Sequence, residues 1–246
     1  MNSLRHTFTS GGQRIKATLA TLAILLSVIF APAPAEAKKS DMQVAVDTIT
    51  AAQAFLRMPQ QDLDLLSTSM RRDMLDYMEQ RDSVYKKANV FMGLSWIEEM
   101  RPDYIKVHLS DVSNLVIKVL PDSKGGLPVV MSIYTIDDGN DTADSTVKFF
   151  SNSMQPLAAK KLMKMPDPTE FYNLPKDAPL SKRDLEQMLP FYTIAFSVSP
   201  DSDVMTGQLT SANLLSTEQS EQIKPYLHSK LIWRWDGRKM QLEKPE

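Results

Sequence analysis

The sequence predicts an α+β fold: N-terminal helices packed on an antiparallel β-sheet, completed by a C-terminal helix and β-hairpin. Three observations carry this expectation. Apolar residues recur at the helical period before residue 80, alternate at period two from Tyr104 onward, and flank an Asp236-Gly237 pair near the end.

In the segment Asp41–Met58, Val44, Ala45, Ile49, Ala52 and Phe55 recur close to every 3.6 residues. Met58-Pro59 closes this helix, because proline disfavours the α conformation of the residue before it. A second helix is expected over Asp62–Gln80. Its apolar face is Leu66, Met70, Met74, Tyr77 and Met78, and Ser67, Thr68 and Ser69 offer caps that would divide it in two.

From Tyr104 the period changes. Ile105, Val107 and Leu109 alternate with Lys106 and His108, as in a half-buried strand. Asn114–Leu120, Pro128–Ile136 and Thr146–Asn152 follow as strands. Asp111–Ser113 and the acidic Asp137–Ser145 serve as links, which predicts an antiparallel meander. In the proline-rich connection, Asp167-Pro168 reads as a cap and first turn, and Ser181–Met188 as a short helix. Phe191–Ser199 and Val204–Leu209 read as strands, and Thr217–Lys224 as a helix with Ser216 and Gln219 at capping-box spacing. Leu231–Trp235 and Lys239–Leu242 then form a hairpin around Asp236-Gly237, a pair that tolerates positive φ at both positions. Leu65-Leu66-Ser67-Thr68 recurs as Leu214-Leu215-Ser216-Thr217, which either marks a duplicated unit or repeats the same capping chemistry.

The first 37 residues have the layout of a signal peptide. Arg5, Arg14 and Lys16 form a basic head, and Ala17–Phe30 is an uncharged run of 14 residues. That run is shorter than the roughly 20 residues a membrane-spanning helix needs. Ala35 and Ala37 supply the small residues read by a signal peptidase, with cleavage expected after Ala37 and a rival site after Ala35. We expect residues 38–246 to form a single domain, and any sub-boundary falls near residues 160–180. The expected location is periplasmic or secreted, soluble after cleavage.

Composition narrows the function classes. Without residues 1–37 the net charge is about −4 and basic residues are dispersed, so nucleic acid is not an expected partner. No second long apolar run predicts stable membrane insertion. With no cysteine the chain can form neither a disulfide nor a lipoprotein anchor. His108 lies on the polar side of its strand and His228 follows a short helix. No G-x-S-x-G elbow, H-E-x-x-H helix or phosphate-binding glycine loop is present, so no catalytic residue, cofactor or metal ligand is assigned. Asp137, Asp138, Asn140, Asp141 and Asp144 lack the order of a calcium loop and read as a solvated turn. Met70, Met74 and Met78 form a helical stripe that reads as core, since thioether ligation would call for accompanying His or Cys. Trp233 and Trp235 share one face of the last hairpin, either as core or as an aromatic binding platform.

Met58–Tyr77, Asp103–Leu109, Ser113–Pro121 and Asp144–Leu157 together resemble a family of exported Bacteroidales proteins known only as a domain of unknown function. The resemblance covers most of the chain after residue 37, less clearly from Phe191 onward, and brings no catalytic residue with it. It implies a Gram-negative source. It also draws attention to Asp47–Ile49, Asp82–Val84 and Asp141–Ala143, which look like the Asp-Ser/Thr-apolar triplets that carry O-glycans in such bacteria. Of these only Thr142 lies in an expected loop.

The expected function is a non-enzymatic binding or structural module of the cell envelope, with a protein or glycan as partner. The alternatives are a periplasmic hydrolase of envelope or dietary polymer and a small metal or lipid carrier.

Overall fold

The computed structural model describes residues 48–81, 85–137, 139 and 142–243. Ala35 and Ala37, and the rest of the signal-like segment, lie outside the described residues. So do positions 41–47 of the first expected helix.

Two helices open the described chain, α1 (Ala51–Arg57) and α2 (Thr68–Arg81). Of its expected span, residues 48–50 are not helical and α1 starts at Ala51. Thr50 sets its start through a capping box in which the Gln53 amide donates to the Thr50 hydroxyl and the Gln53 side chain accepts from the Thr50 amide. The second expected helix is divided as the serine and threonine caps implied. Gln60–Asp62 forms one 3₁₀ turn, and Ser67 accepts from the Met70 amide at the head of α2.

Seven strands then follow in an unbroken antiparallel meander. They are β1 (Lys87–Ala88), β2 (Leu94–Arg101), β3 (Tyr104–Ser110), β4 (Ser113–Leu120), β5 (Val129–Asp137), β6 (Ala143–Phe150) and β7 (Pro156–Leu157), and sequence order is spatial order. Short helices α3 (Ala159–Leu162) and α4 (Lys182–Met188) lead to β8 (Ile194–Val198) and β9 (Val204–Leu209). Then come α5 (Thr217–Ile223), β10 (Leu231–Trp235) and β11 (Met240–Leu242), and the last four strands form a second antiparallel sheet. The α+β class is therefore observed, with two sheets rather than one.

Strands β1, β2 and β7 were not expected. In β2 the period-two signal is masked because the inward residues are Ser95 and Ile97, and a bulge between Ile97 and Glu99 then resets the alternation. The last turn also departs from expectation. Gly237 alone has positive φ, and Asp236 instead accepts at one carboxylate oxygen from the Arg238 and Lys239 amides. Glycine is required at 237 twice over: φ is +90°, and an added Cβ would stand 2.1 Å from the Ser123 Cβ.

The large sheet is covered on both faces, which explains the almost wholly buried β4. On one face α1 lies across β2, β3 and β4 with α2 on β2, and Phe55, Leu66, Met74, Ile105, Val107, Ile117 and Phe150 form the core. Met74 sits inside this core and Met70 and Met78 pack against it. On the other face the small sheet lies against β4, β5 and β6 through β8, burying Met131, Ile133, Phe149, Phe196, Met205 and Trp233. Polar joints fix this second layer. The Phe196 amide donates to the Ser145 hydroxyl at 3.0 Å, and the Ile194 amide to Asp144 at 3.2 Å. Lys118, on β4 and 2% exposed, donates to Asp103 at 2.7 Å and to the Pro200 carbonyl at 3.0 Å, tying the β8–β9 turn to the large sheet. Burial raises the carboxyl of nearby Asp203 above its ordinary value, with Lys118 opposing the shift.

The two covering layers are offset. Helices chiefly cover β2–β4 on one side and the small sheet chiefly covers β4–β6 on the other. Two strips of the large sheet therefore stay open: β1–β3 on the small-sheet side, and β5–β6 on the helix side.

Candidate functional site

The open β1–β3 strip is set by register. Trp96 stands opposite His108, and period two places Leu94, Trp96, Lys106 and His108 on the same face. Trp96 and His108 stack with ring centroids 3.5 Å apart and planes 17° apart, and the Lys86 ammonium lies 4.7 Å from the Trp96 ring centre. Glu98 is paired with Lys106 at 2.7 Å, while His108 Nδ1 is 3.9 Å away, beyond hydrogen-bond reach. His108 Nε2 is buried without a partner. Burial pushes the imidazole pKa below its ordinary 6.5, and the Glu98 charge opposes the shift. The stacking and the burial thus tie the His108 imidazole to Trp96.

The sign of this shift makes a testable statement. A histidine that resists protonation when folded adds stability above its unfolded value, and that stability is lost as pH falls from about 6.5 toward the folded value. Urea midpoints at pH 7.5 and 5 should differ more for the native protein than for His108→Gln. An equal decline in both would remove His108 as a contributor.

At the end of this strip the β1–β2 connection is built around Asn89, which is 3% exposed. Its side-chain oxygen accepts from the Phe91 and Gly93 amides, both at 3.0 Å. Its side-chain nitrogen donates to the Leu109 carbonyl at 2.9 Å and the Ser95 hydroxyl at 3.2 Å. The Val90 amide donates to the Leu65 carbonyl. Met92 is held at φ +67°, a left-handed conformation costing a methionine roughly 1–3 kcal/mol. This well-tethered loop exposes Val90, Phe91, Met92 and Leu94, with Phe91 72% and Met92 86% accessible. Register continues the apolar row along the sheet end. Ser110 pairs with Ser113, Ser113 with Ile136, and the Asp137 amide donates to the Val112 carbonyl, so exposed Val112 and Ile136 lie on the same edge.

The residues singled out from sequence fall elsewhere. Trp233 is fully buried edge-on to Phe196 in the core between the two sheets, and Trp235 is 7% exposed with its indole N–H donating to the Pro121 carbonyl. Neither presents a ring face to solvent. The Thr142 hydroxyl is also shielded from solvent. Asp138, Asn140 and Asp141 lie outside the described residues. Sequence reasoning missed Trp96, Asn89 and Phe91. A signal did exist: Val90-Phe91-Met92-Gly93 is an apolar run ending in glycine that fits neither a helical nor a strand period.

The family model described as "Protein of unknown function (DUF3256)" matches residues 43–240. The chain belongs to this family. Among solved structures, this DUF3256 chain is similar to a domain of an uncharacterized protein from Porphyromonas gingivalis W83, with a TM-score of 0.66 and 19% identity. The match covers 79% of this chain and 98% of that one, and at this identity it shows the shared fold. That neighbour comes from the Bacteroidales, in line with the resemblance carried by Met58–Tyr77 and the later blocks. No curated protein matches. Among the described residues of this DUF3256 chain, no helix is long and apolar enough to cross a membrane.

Proposed function

We propose that this DUF3256 protein is an exported, non-enzymatic binding module of a Gram-negative cell envelope. It acts on a partner protein through the sheet end that carries Val90, Phe91 and Met92. The observation that carries this reading is the exposure of two large apolar side chains on a loop that Asn89 holds in one conformation. Exposed apolar residues are ordinary when scattered, but here they are contiguous and preorganised. Preorganisation removes the ordering cost that a flexible loop pays on binding, and a protruding aromatic is the side chain best suited to anchor a protein interface. The signal-like layout of residues 1–37 supports export.

The test places a photo-crosslinking amino acid at position 91 of the full chain in a Bacteroidales host. A discrete envelope adduct is expected, carried by a chain that begins at Lys38. Phe91→Ser combined with Met92→Ser should lower partner capture at least tenfold. Both side chains are exposed, so stability should change by no more than about 0.5 kcal/mol. Unchanged capture by this double variant would refute the reading.

A further inference from the structure

The second open strip, β5–β6 on the helix side, holds a recess of about 280 Å³ with a different chemistry. Its floor follows from register: Leu115 pairs with Tyr134, Tyr134 with Thr146, and Ser132 with Lys148, so these side chains form one patch on the same face. Its wall is the 3₁₀ turn, which contributes Asp62, with Asp64 just beyond.

Asp62 is the unusual member. Its side chain is 11% exposed, and one carboxylate oxygen accepts from Lys148 at 2.7 Å. The other oxygen, Oδ2, is shielded from solvent and has no hydrogen-bond partner. A carboxyl oxygen buried without a donor gives up the hydrogen bond that water would supply in the open. Asp62 and Lys148 both line the recess, so a ligand seated there meets a carboxylate that is short of donors.

We infer that this recess binds one ring of a neutral, hydroxyl-rich molecule, a monosaccharide or the terminal sugar of a glycan. Three features select that class. The lining carries two carboxylates and one ammonium, which disfavours phosphates and acidic sugars. Ser132, Tyr134 and Thr146 are hydroxyls able to donate or accept, so they match a ligand whose groups do both. The volume, about 280 Å³, lies just below the roughly 300–1,000 Å³ range of ligand pockets, which limits the occupant to a single ring. This inference does not rest on the loop at Phe91, which lies on a separate part of the sheet.

The test titrates the full chain with glucose, galactose, mannose, fucose and N-acetylglucosamine by calorimetry, with glucuronic acid as the anionic comparison. Saturable binding of at least one neutral sugar is expected, and binding of glucuronic acid at least tenfold weaker. Asp62→Asn should weaken the neutral sugar at least tenfold. Thr146→Val tests the exposed part of the floor independently and should weaken it severalfold, even should the Asp62 variant fail to fold. Phe91→Ser should leave sugar binding unchanged, separating this site from the proposed protein contact. A disaccharide that binds tighter than its terminal sugar indicates a glycan as source, and equal affinity indicates the free sugar. No saturable binding by any neutral sugar, equal binding of glucuronic acid, or indifference to both substitutions would overturn the inference.

Discussion

Trp233→Ala should lower folding stability by about 3–5 kcal/mol, because a large cavity opens where no neighbour can collapse. The ring is fully buried, 5.5 Å from the Phe196 ring in an edge-on arrangement. Both rings converge over Gly207, where even a Cβ would come within 2.8 Å of Phe196 and 2.9 Å of Trp233. So tight a packing arrangement has little capacity to relax. In a domain of this size 1 kcal/mol corresponds to a shift of roughly 2–4 °C, so the melting temperature should fall by roughly 6–20 °C. Trp233→Phe should cost much less. The indole N–H is buried without an acceptor, and removing it recovers part of what the lost ring area forfeits. Chemical denaturation of the two variants checks both statements. A neutral Trp233→Ala would mean that the small sheet does not depend on this ring.

Arg71→Met is the second large effect, expected at about 3–4 kcal/mol. Arg71 is 1% exposed and joins the two helices, with no carboxylate partner among the described residues. Its guanidinium donates to the Phe55 carbonyl at 3.0 Å and the Met58 carbonyl at 2.7 Å, then to Gln60 and Thr68, each at 3.2 Å. The main-chain acceptors belong to the C-terminal end of α1, where the helix dipole favours a positive charge. Burial alone would cost this cation dearly, and it lowers the pKa, but the four acceptors replace much of the lost hydration. Methionine fills most of the space and restores none of the hydrogen bonds, so two buried carbonyls lose their donor. Hydrogen exchange should show α1 opening first. Protection in α1 equal to that of the native protein would show that helix packing, not the guanidinium, holds α1 in place.

Several elements were legible because their signal is local. Strand β3 alternates Ile105, Val107 and Leu109 with polar residues, and Ser67, Asp167, Ser181 and Ser216 each announce the helix or turn that they cap. Other elements were hidden because tertiary contact overrides the pattern. Strand β2 buries Ser95, which is polar in sequence and inward in the fold because its hydroxyl donates to the Leu109 carbonyl at 2.6 Å. Arg71 lies beside the apolar face that Leu66, Met70, Met74, Tyr77 and Met78 mark, and its burial depends on where the end of α1 lies.

The candidate sites were less legible still. Asp62 and Lys148 are 86 positions apart, and only the β5–β6 register and the preceding 3₁₀ turn bring them together. Asn89 looks like an ordinary turn residue until its amide is seen holding the Leu109 carbonyl on β3.

By itself, then, the sequence determined the α+β class, the antiparallel meander and the family, because periodicity, capping and turn chemistry act over a few residues. Only the tertiary structure decided which faces of the large sheet are covered, which polar groups are buried and which apolar ones are exposed. Those outcomes depend on how two layers are offset across seven strands, and no local interaction in the chain encodes that offset.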